Sequence, residues 1–448
     1  MDLTLKGHAA ALFMRHRSNL FKLAHVMGAA MVSRAAQLGV VLVVARQLGP
    51  TDFGAFVFAI GASIVAGVLG SLGWPLSFNR FFALLIREQK LAELHGLIRA
   101  STLLVLTGSL ATAGAMLIAS FFTEELAFGL IAGAFLTIPY GLMTLRRQQL
   151  AGTGQAPLAL LLDQGLSSMA LFCAALLFRL TLFEMLCIYA VTMVIGNLAA
   201  TIIIRRRLPP TLFAETPVYE LGVWMRSGIS LLVGRSARLL LTRLDVLLIP
   251  ALANLTEAGL YGAALRATYI LTFPQFVLQT LTGPQLADAF ARKQRGRARK
   301  ILAASVFFAL ATTLPFVAVI VFAPIRVMTL LFGPSFADGA NALLLITLGQ
   351  LAIGLGMPFA NVLAMGAREY AFGILNVGVL IVSVILAAAT VPAMGAAGGG
   401  LVMLISAVLL LLGQIGLSLA PLGIKKLGLE SGKKAKTEAS IPPGSEQQ

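Results

Sequence analysis

Charged residues are scarce in this chain of 448 residues: only 12% are charged, while 58% are hydrophobic and the mean hydropathy is +0.91. A water-soluble globular protein could not hide so much apolar surface, so the main solvent of the chain is predicted to be lipid. In a bilayer, only helices and closed barrels satisfy the backbone, and apolar runs of about 20 residues are too long for barrel strands. The sequence therefore predicts an all-α, polytopic integral membrane protein.

Cysteines and nucleotide-binding loops are also nearly or wholly lacking. The two cysteines, Cys173 and Cys187, stand in apolar segments without metal-ligand spacing, which predicts buried, inert thiols and neither a zinc site nor a disulfide framework. No GxxxxGK[ST] motif occurs, so the chain itself is not expected to hydrolyse ATP. We predict no catalytic residue, no metal and no cofactor; the residues leave open whether a coupling ion, a proton or sodium, is needed.

Positive charge is abundant, with 34 Lys and Arg and a formal net charge of +16, and its placement is informative. Of these residues, 26 lie in the N-terminal segment, every second loop and the C-terminal tail, whereas the alternate loops contain only Arg46, Arg179 and Arg326. Cytoplasmic loops of membrane proteins carry such an excess. The bias favours membrane topology over nucleic-acid binding, and it predicts a multi-pass protein of the bacterial cytoplasmic (inner) membrane with both termini in the cytoplasm.

Apolar windows of suitable length predict twelve transmembrane helices in two bundles of six. The predicted spans are 23–45, 54–74, 98–122, 126–145, 156–178, 183–204, 227–251, 259–281, 301–323, 341–365, 371–391 and 396–420. The predicted domains are a cytoplasmic N-terminal segment (1–22), an N-terminal bundle (23–207), a cytoplasmic linker (208–226), a C-terminal bundle (227–420) and a cytoplasmic polar tail (421–448).

An internal repeat supports the division into two bundles. Residues 51–59, after the first span, and 256–264, after the seventh, share the pattern Thr, acid, x, Gly, x, aromatic, x, x, Ala. Six spans separate the two copies, so the repeats run parallel. Such duplication predicts a pseudo-two-fold axis along the membrane normal and a substrate cavity between halves that rock against each other.

Charged and polar side chains inside the spans are the candidate functional residues, because a charge at mid-bilayer costs about 2.5–3.5 kcal/mol on insertion scales and normally faces protein or water. Spacings of three, four and three place four of them on one stripe of the seventh helix. The substrate-binding candidates are Arg34, Gln37, Arg235, Arg238, Thr242 and Arg266, and the ion-coupling candidates are Asp245 and Asp163.

The arginines predict a cationic cavity, because guanidinium groups stay charged and bind phosphate oxygens in a bidentate fork. Such a cavity suits a pyrophosphate-bearing substrate better than a cationic drug. An alternative remains open for each residue: Arg34 or Arg235 could extend to the cytoplasmic interface, and Asp245 could only pair with Arg243 or Arg238.

Four separated stretches resemble the polysaccharide (O-antigen and exopolysaccharide) flippases of the multidrug, oligosaccharidyl-lipid and polysaccharide exporter superfamily. They are RQLGPTDFG at 46–54, EAGLYGAA at 257–264, LLFGPSF at 330–336 and MGAAGGG at 394–400. The resemblance extends over nearly the whole chain. It rests on order and spacing, since no single stretch is diagnostic.

This resemblance implies a MATE-like fold of two six-helix bundles, alternating access, and an undecaprenyl-pyrophosphate-linked oligosaccharide as cargo for O-antigen, capsule or exopolysaccharide biosynthesis. By position, Arg34, Arg235 and Arg238 would line its cationic cavity. Membrane lipids and other polysaccharide-assembly proteins are the implied partners. The lipid II flippases of the superfamily usually have fourteen spans and its drug exporters usually have acidic cavities, so twelve spans and interior arginines depart from both.

Two further functions stay open at this stage. A cation-coupled multidrug exporter of the same superfamily would share the fold but carry another substrate. A membrane polymerase or ligase acting on lipid-linked sugars would be an enzyme, but such enzymes present their residues in sizeable external loops. The predicted external loops here are short, the longest being 324–340.

Overall fold

The computed structural model describes residues 2–71, 73–225, 243–366 and 368–422, which form helices and turns with no strand among them. Short irregular helical turns occur at Leu161–Gly165 (π), Thr268–Leu271 and Pro334–Gly339 (both 3-10). The α-helices are α1 Asp2–Gly70, α2 Trp74–Arg87, α3 Leu91–Ser120, α4 Glu124–Gly152, α5 Ala156–Leu160, α6 Leu166–Leu177, α7 Leu182–Arg207, α8 Pro210–Ala214, α9 Leu244–Leu252, α10 Leu255–Ala267, α11 Thr272–Ala291, α12 Arg295–Phe322, α13 Pro324–Phe332, α14 Ala340–Met365 and α15 Glu369–Ser418.

Two of these helices are broken at a glycine. Gly49 in α1 has φ 73° and ψ 177°, and Gly395 in α15 has φ 54° and ψ −128°, so each helix consists of two arms. Glycine adopts such positive φ values without a steric penalty. Pro50 follows the first break and adds to it, because it lacks an N–H and disfavours the α conformation in the residue before it. The predicted loops between spans one and two and between spans eleven and twelve are thus single sharp turns.

Within the described residues, seven helices are long and apolar enough to cross a membrane, or eight if Ala156–Asp163 and Leu166–Leu177, which meet at 42°, form one span. The apolar stretches of the two broken helices contain 40 and 49 residues. At about 1.5 Å per residue each is roughly twice as long as a bilayer core is thick, so each can supply two crossings. The described helices are consistent with twelve spans, and the count itself stays a prediction.

The largest hydrophobic core joins the two halves of the chain. Val44, Phe53 and Tyr189 from the first half pack in the same cluster as Tyr261 and Phe336 from the second. A second cluster fills the predicted cytoplasmic end of the first half, and a third lies in the second half around α11, α12 and α14. The two halves therefore meet along an apolar seam.

The predicted linker packs against the first half. Leu208, Leu212 and Trp224 are buried in the second cluster, and the Trp224 ring meets the Trp74 ring of α2 edge to face at 6.4 Å between centroids. The Val218 N–H donates to the Ala92 carbonyl at 3.0 Å. These contacts fix the linker to the first bundle as far as residue 225, where this described segment ends.

Both cysteines differ from the prediction of buried thiols. Cys173 on α6 and Cys187 on α7 are free and exposed. Apolar composition identified their helices as membrane spans but did not show which face of each helix packs against protein.

Candidate translocation site

The two copies of the repeat meet each other at one end of the seam, which the sequence predicts to be external and which we call the outer end. A β-carbon added to Gly54 would lie 1.8 Å from the Leu255 carbonyl oxygen, and one added to Gly259 would lie 1.9 Å from the Pro50 oxygen. These contacts are reciprocal, as a two-fold axis between the copies requires. The Thr51 and Thr256 hydroxyl oxygens complete the pair with a hydrogen bond of 2.8 Å.

Further contacts between the two halves surround these glycines. The Arg46 side chain donates to the carbonyls of Leu331, at 2.9 Å, and Leu330 at the end of α13. The rings of Phe53 and Phe336 meet edge to face at 5.9 Å between centroids. The outer end is therefore closed by backbone contact, hydrogen bonds and buried aromatic rings.

Arg266 lies directly behind this closure, at the end of α10. Its guanidinium carbon is 5.6 Å from the centroid of the Phe53 ring in the other half, and its Nη1 donates to the Gly262 carbonyl at 3.0 Å. A guanidinium over an aromatic face is attracted by the ring quadrupole. The closed outer end thus holds one cation of the second half against an aromatic side chain of the first.

Tyr189 on α7 connects this arginine to other charged residues. Its hydroxyl is buried and interacts electrostatically with Arg243 and Arg266 of the second half and with Asp163 of the first. The hydroxyl of this buried tyrosine is therefore within electrostatic range of charged residues from both halves.

The two acids of this region already have partners. Both oxygens of Asp245 accept hydrogen bonds, one from the Tyr261 hydroxyl and the other from the Val246 N–H at 2.9 Å. Asp163 forms an ion pair of 2.9 Å with Arg147, and its Oδ1 has no partner among the described residues. No ion pair joins Asp245 to Arg243, and Arg238, the other predicted partner, lies outside the described residues.

Several arginines of the interior lack an acidic partner in the described part of the chain. None of Arg34, Arg243 and Arg266 forms an ion pair with another described residue. The sequence of 226–242, whose structure is not described, adds three arginines and no acid. Bidentate binding of an anion is the chemistry that such arginines favour.

Sequence comparison assigns the chain to a family at this point. Residues 22–284 match the family described as polysaccharide biosynthesis protein. The chain belongs to this family. None of the curated proteins matches it in sequence.

Solved structures show that this family member has the fold of the MOP superfamily. It resembles an inward-facing multidrug resistance MATE family transporter (TM-score 0.68, 15% identity, 91% of this chain and 99% of that one). It also resembles the lipid II flippase MurJ in an inward closed conformation (0.67, 14%, 88% and 87%) and a MOP superfamily transporter from Pyrococcus furiosus (0.57, 17%, 90% and 96%). The predicted all-α, MATE-like membrane fold is confirmed, and these relatives are transporters and a flippase.

The predicted binding residues fall into two groups. Arg34 is exposed, and the Gln37 amide donates to the Ser33 hydroxyl of its own helix at 3.3 Å. Arg266 lies over Phe53, Asp245 accepts from Tyr261, and Asp163 pairs with Arg147. The other candidates, Arg235, Arg238 and Thr242, lie outside the described residues.

Sequence reasoning missed the residues that hold the site together. Tyr189, Tyr261 and Phe53 read as ordinary apolar residues of their helices, and nothing in their spacing shows that they meet charged groups. Glu257, the acid of the second repeat copy, accepts from the Ala396 N–H at 2.7 Å and so caps the second arm of α15. A signal for Gly54 and Gly259 did exist, since a small residue at the same position of both copies permits close helix contact at the symmetry axis.

Proposed function

We propose that this family member is a flippase that moves an undecaprenyl-pyrophosphate-linked oligosaccharide from the cytoplasmic to the periplasmic leaflet by alternating access. The polymer it serves would be O-antigen, capsule or exopolysaccharide. The polysaccharide-biosynthesis family and the fold shared with a lipid II flippase support this cargo class. The protein acts as a transporter in this proposal, with no catalytic residue.

The observation that carries the proposal is the charge at the seam. Asp163 forms an ion pair with Arg147 and Asp245 accepts from Tyr261, whereas Arg243 and Arg266 form no ion pair with a described acid. A site with unpaired guanidinium groups and engaged carboxylates suits a diphosphate and repels a cationic drug. The lipid tail would stay in the bilayer while the diphosphate and sugars cross between the halves.

Coupling to an ion, if the flippase uses one, is best placed at Asp163. This carboxylate is buried and its Oδ1 is unpartnered, so it retains acceptor capacity for a proton or sodium ion. Asp245 is the weaker candidate, because both of its oxygens already accept hydrogen bonds.

The test measures where the lipid-linked oligosaccharide accumulates in a strain lacking the gene and complemented with variants. Arg266→Gln should trap the intermediate on the cytoplasmic side and lower surface polymer at least about tenfold. Glutamine has neither the positive charge of the guanidinium group nor its pair of parallel N–H donors. Arg326→Gln is the matched control, since Arg326 is exposed on α13. Membrane levels of each variant are measured by immunoblot.

A second variant separates the effect of the Arg266 charge from the effect of the aromatic contact that closes the outer end. Phe53→Leu removes the stacked ring and leaves the Arg266 charge, so transport should fall less than in Arg266→Gln. Normal surface polymer in Arg266→Gln would contradict the diphosphate assignment. Unchanged polymer together with sensitivity to cationic dyes in the gene deletion would instead identify a multidrug exporter.

A further inference from the structure

A second group of unpaired arginines lies away from the seam, where α4 and α7 end on the predicted cytoplasmic side. Arg146 is half-buried in the last turns of α4, and Arg205 is exposed in the last turn of α7. Arg205 is the charged residue that interacts with Arg146. Neither forms an ion pair with any described residue, so the positive charges of these two residues have no acidic counter-ion there.

On the same side, two acids neutralise three other arginines. Arg147 pairs with Asp163, and Asp288 accepts from Arg292 at 2.7 Å and from Arg297 at 2.9 Å. The hydrogen bond from Arg292 is the main reason that the pKa of Asp288 is lowered. Arg146 and Arg205 are among the arginines of this side that no described acid neutralises.

A buried amide beside Arg146 provides an independent sign of a missing ligand. Gln149 is fully buried, its Oε1 accepts from Arg146 Nη1 at 2.7 Å, and its Nε2 has no partner among the described residues. If the Gln149 amide were flipped, its Nε2 would face Arg146 Nη1, which is also a donor. Flipping the amide therefore does not give the Nε2 group an acceptor. A buried donor without an acceptor is costly, and the group as a whole has an excess of N–H donors.

We propose that Arg146, Arg205 and Gln149 form a binding site for a phosphate group at the predicted cytoplasmic surface of the first bundle, separate from the translocation seam. A phosphate supplies the negative charge that the two guanidinium groups lack and the acceptor oxygen that the amide lacks. At this depth the phosphate can come from the headgroup of an anionic phospholipid or from soluble phosphate.

Native mass spectrometry of the purified full-length chain tests the lipid source. The protein is mixed with phosphatidylglycerol or with phosphatidylcholine, and the lipids retained per molecule are counted. Arg146→Gln and Arg205→Gln should each weaken phosphatidylglycerol retention by about fivefold or more, because each removes a charge-assisted donor. Arg206→Gln is the matched control, since it removes the same charge from the neighbouring residue of α7.

Gln149→Leu distinguishes a ligand site from a structural defect. It removes the donor for the phosphate and also the acceptor of Arg146, so the thermal midpoint of the lipid-free protein should fall and phosphatidylglycerol retention should weaken. A purely structural amide would leave retention unchanged.

Inorganic phosphate at millimolar concentration tests the soluble source. If it raises the thermal midpoint of the wild type but not of Arg146→Gln, the site binds free phosphate. Two results together would overturn the proposal. Arg146→Gln and Arg206→Gln would retain equal amounts of phosphatidylglycerol, and phosphate would raise the thermal midpoints of the wild type and of Arg146→Gln equally or not at all.

Discussion

The outer and inner ends of the molecule satisfy their polar groups in opposite ways. At the outer end, the repeat copies satisfy each other: Thr51 bonds to Thr256, and the backbones meet at Gly54 and Gly259. At the inner end, Asp163 and Gln149 each keep an unused polar atom, and Arg146 lacks an acid among the described residues.

This difference indicates which end is closed and which is prepared for ligands. Reciprocal backbone contact at the outer end leaves no space for a solute between the copies. Unused donors and acceptors at the inner end are costly unless something binds them. A transporter that has closed its outer end and awaits an anionic substrate or lipid from the cytoplasm would have this distribution.

The largest expected effect comes from adding a side chain to the closure. Gly54→Ala places a β-carbon 1.8 Å from the Leu255 oxygen, so the two halves must separate there. We expect surface polymer in the complemented deletion strain to fall at least about tenfold, because packed backbones cannot absorb such an overlap. Gly114→Ala, on α3 with no atom within 4 Å of its added carbon, is the control. Normal polymer from Gly54→Ala would show that the contact is dispensable.

A reversible effect is expected from a cross-link at the same place. In a background with Cys173 and Cys187 replaced by serine, Thr51→Cys and Thr256→Cys together should form a disulfide, because the native hydroxyl oxygens are 2.8 Å apart. Transport should stop under oxidising conditions and recover with a reductant, as followed by surface polymer and gel mobility. Each single cysteine should behave as wild type; full transport with the cross-link formed would mean that the outer end need not open.

The smallest effect is expected at the inner end. Asp163→Asn removes the carboxylate that pairs with Arg147, whose side chain is 40% exposed, so water replaces part of the lost interaction. We expect a loss of about 1 kcal/mol or less, seen as a slightly lower thermal midpoint. If Asp163 also binds the coupling ion, flipping in vesicles should lose its response to an imposed proton or sodium gradient. Asp245→Asn is the comparison, and an unchanged response in Asp163→Asn would remove this residue as the coupling site.

Much of the fold could be predicted because it follows from composition and duplication. Long apolar runs gave the helices, and the repeat at 51–59 and 256–264 gave the two halves. Gly49-Pro50 was a visible sign of a sharp turn, yet an ordinary loop was predicted there. Partners distant in sequence, such as Tyr261 for Asp245 and Arg147 for Asp163, could not be predicted, because helical spacing fixes which face a residue lies on and not what stands opposite.

The two acids of the repeat have diverged in use. Asp52 is exposed at the outer end, whereas Glu257, at the equivalent position, holds the Ala396 N–H where α15 is broken at Gly395. One additional methylene lets the second copy reach another helix. The C-terminal half is therefore tied to its last helix at the point of closure by a side-chain carboxylate, whereas in the N-terminal half the Gln47 amide ties α1 to Phe178 and Leu180, so each outer rim would move together with the helices that it is bonded to.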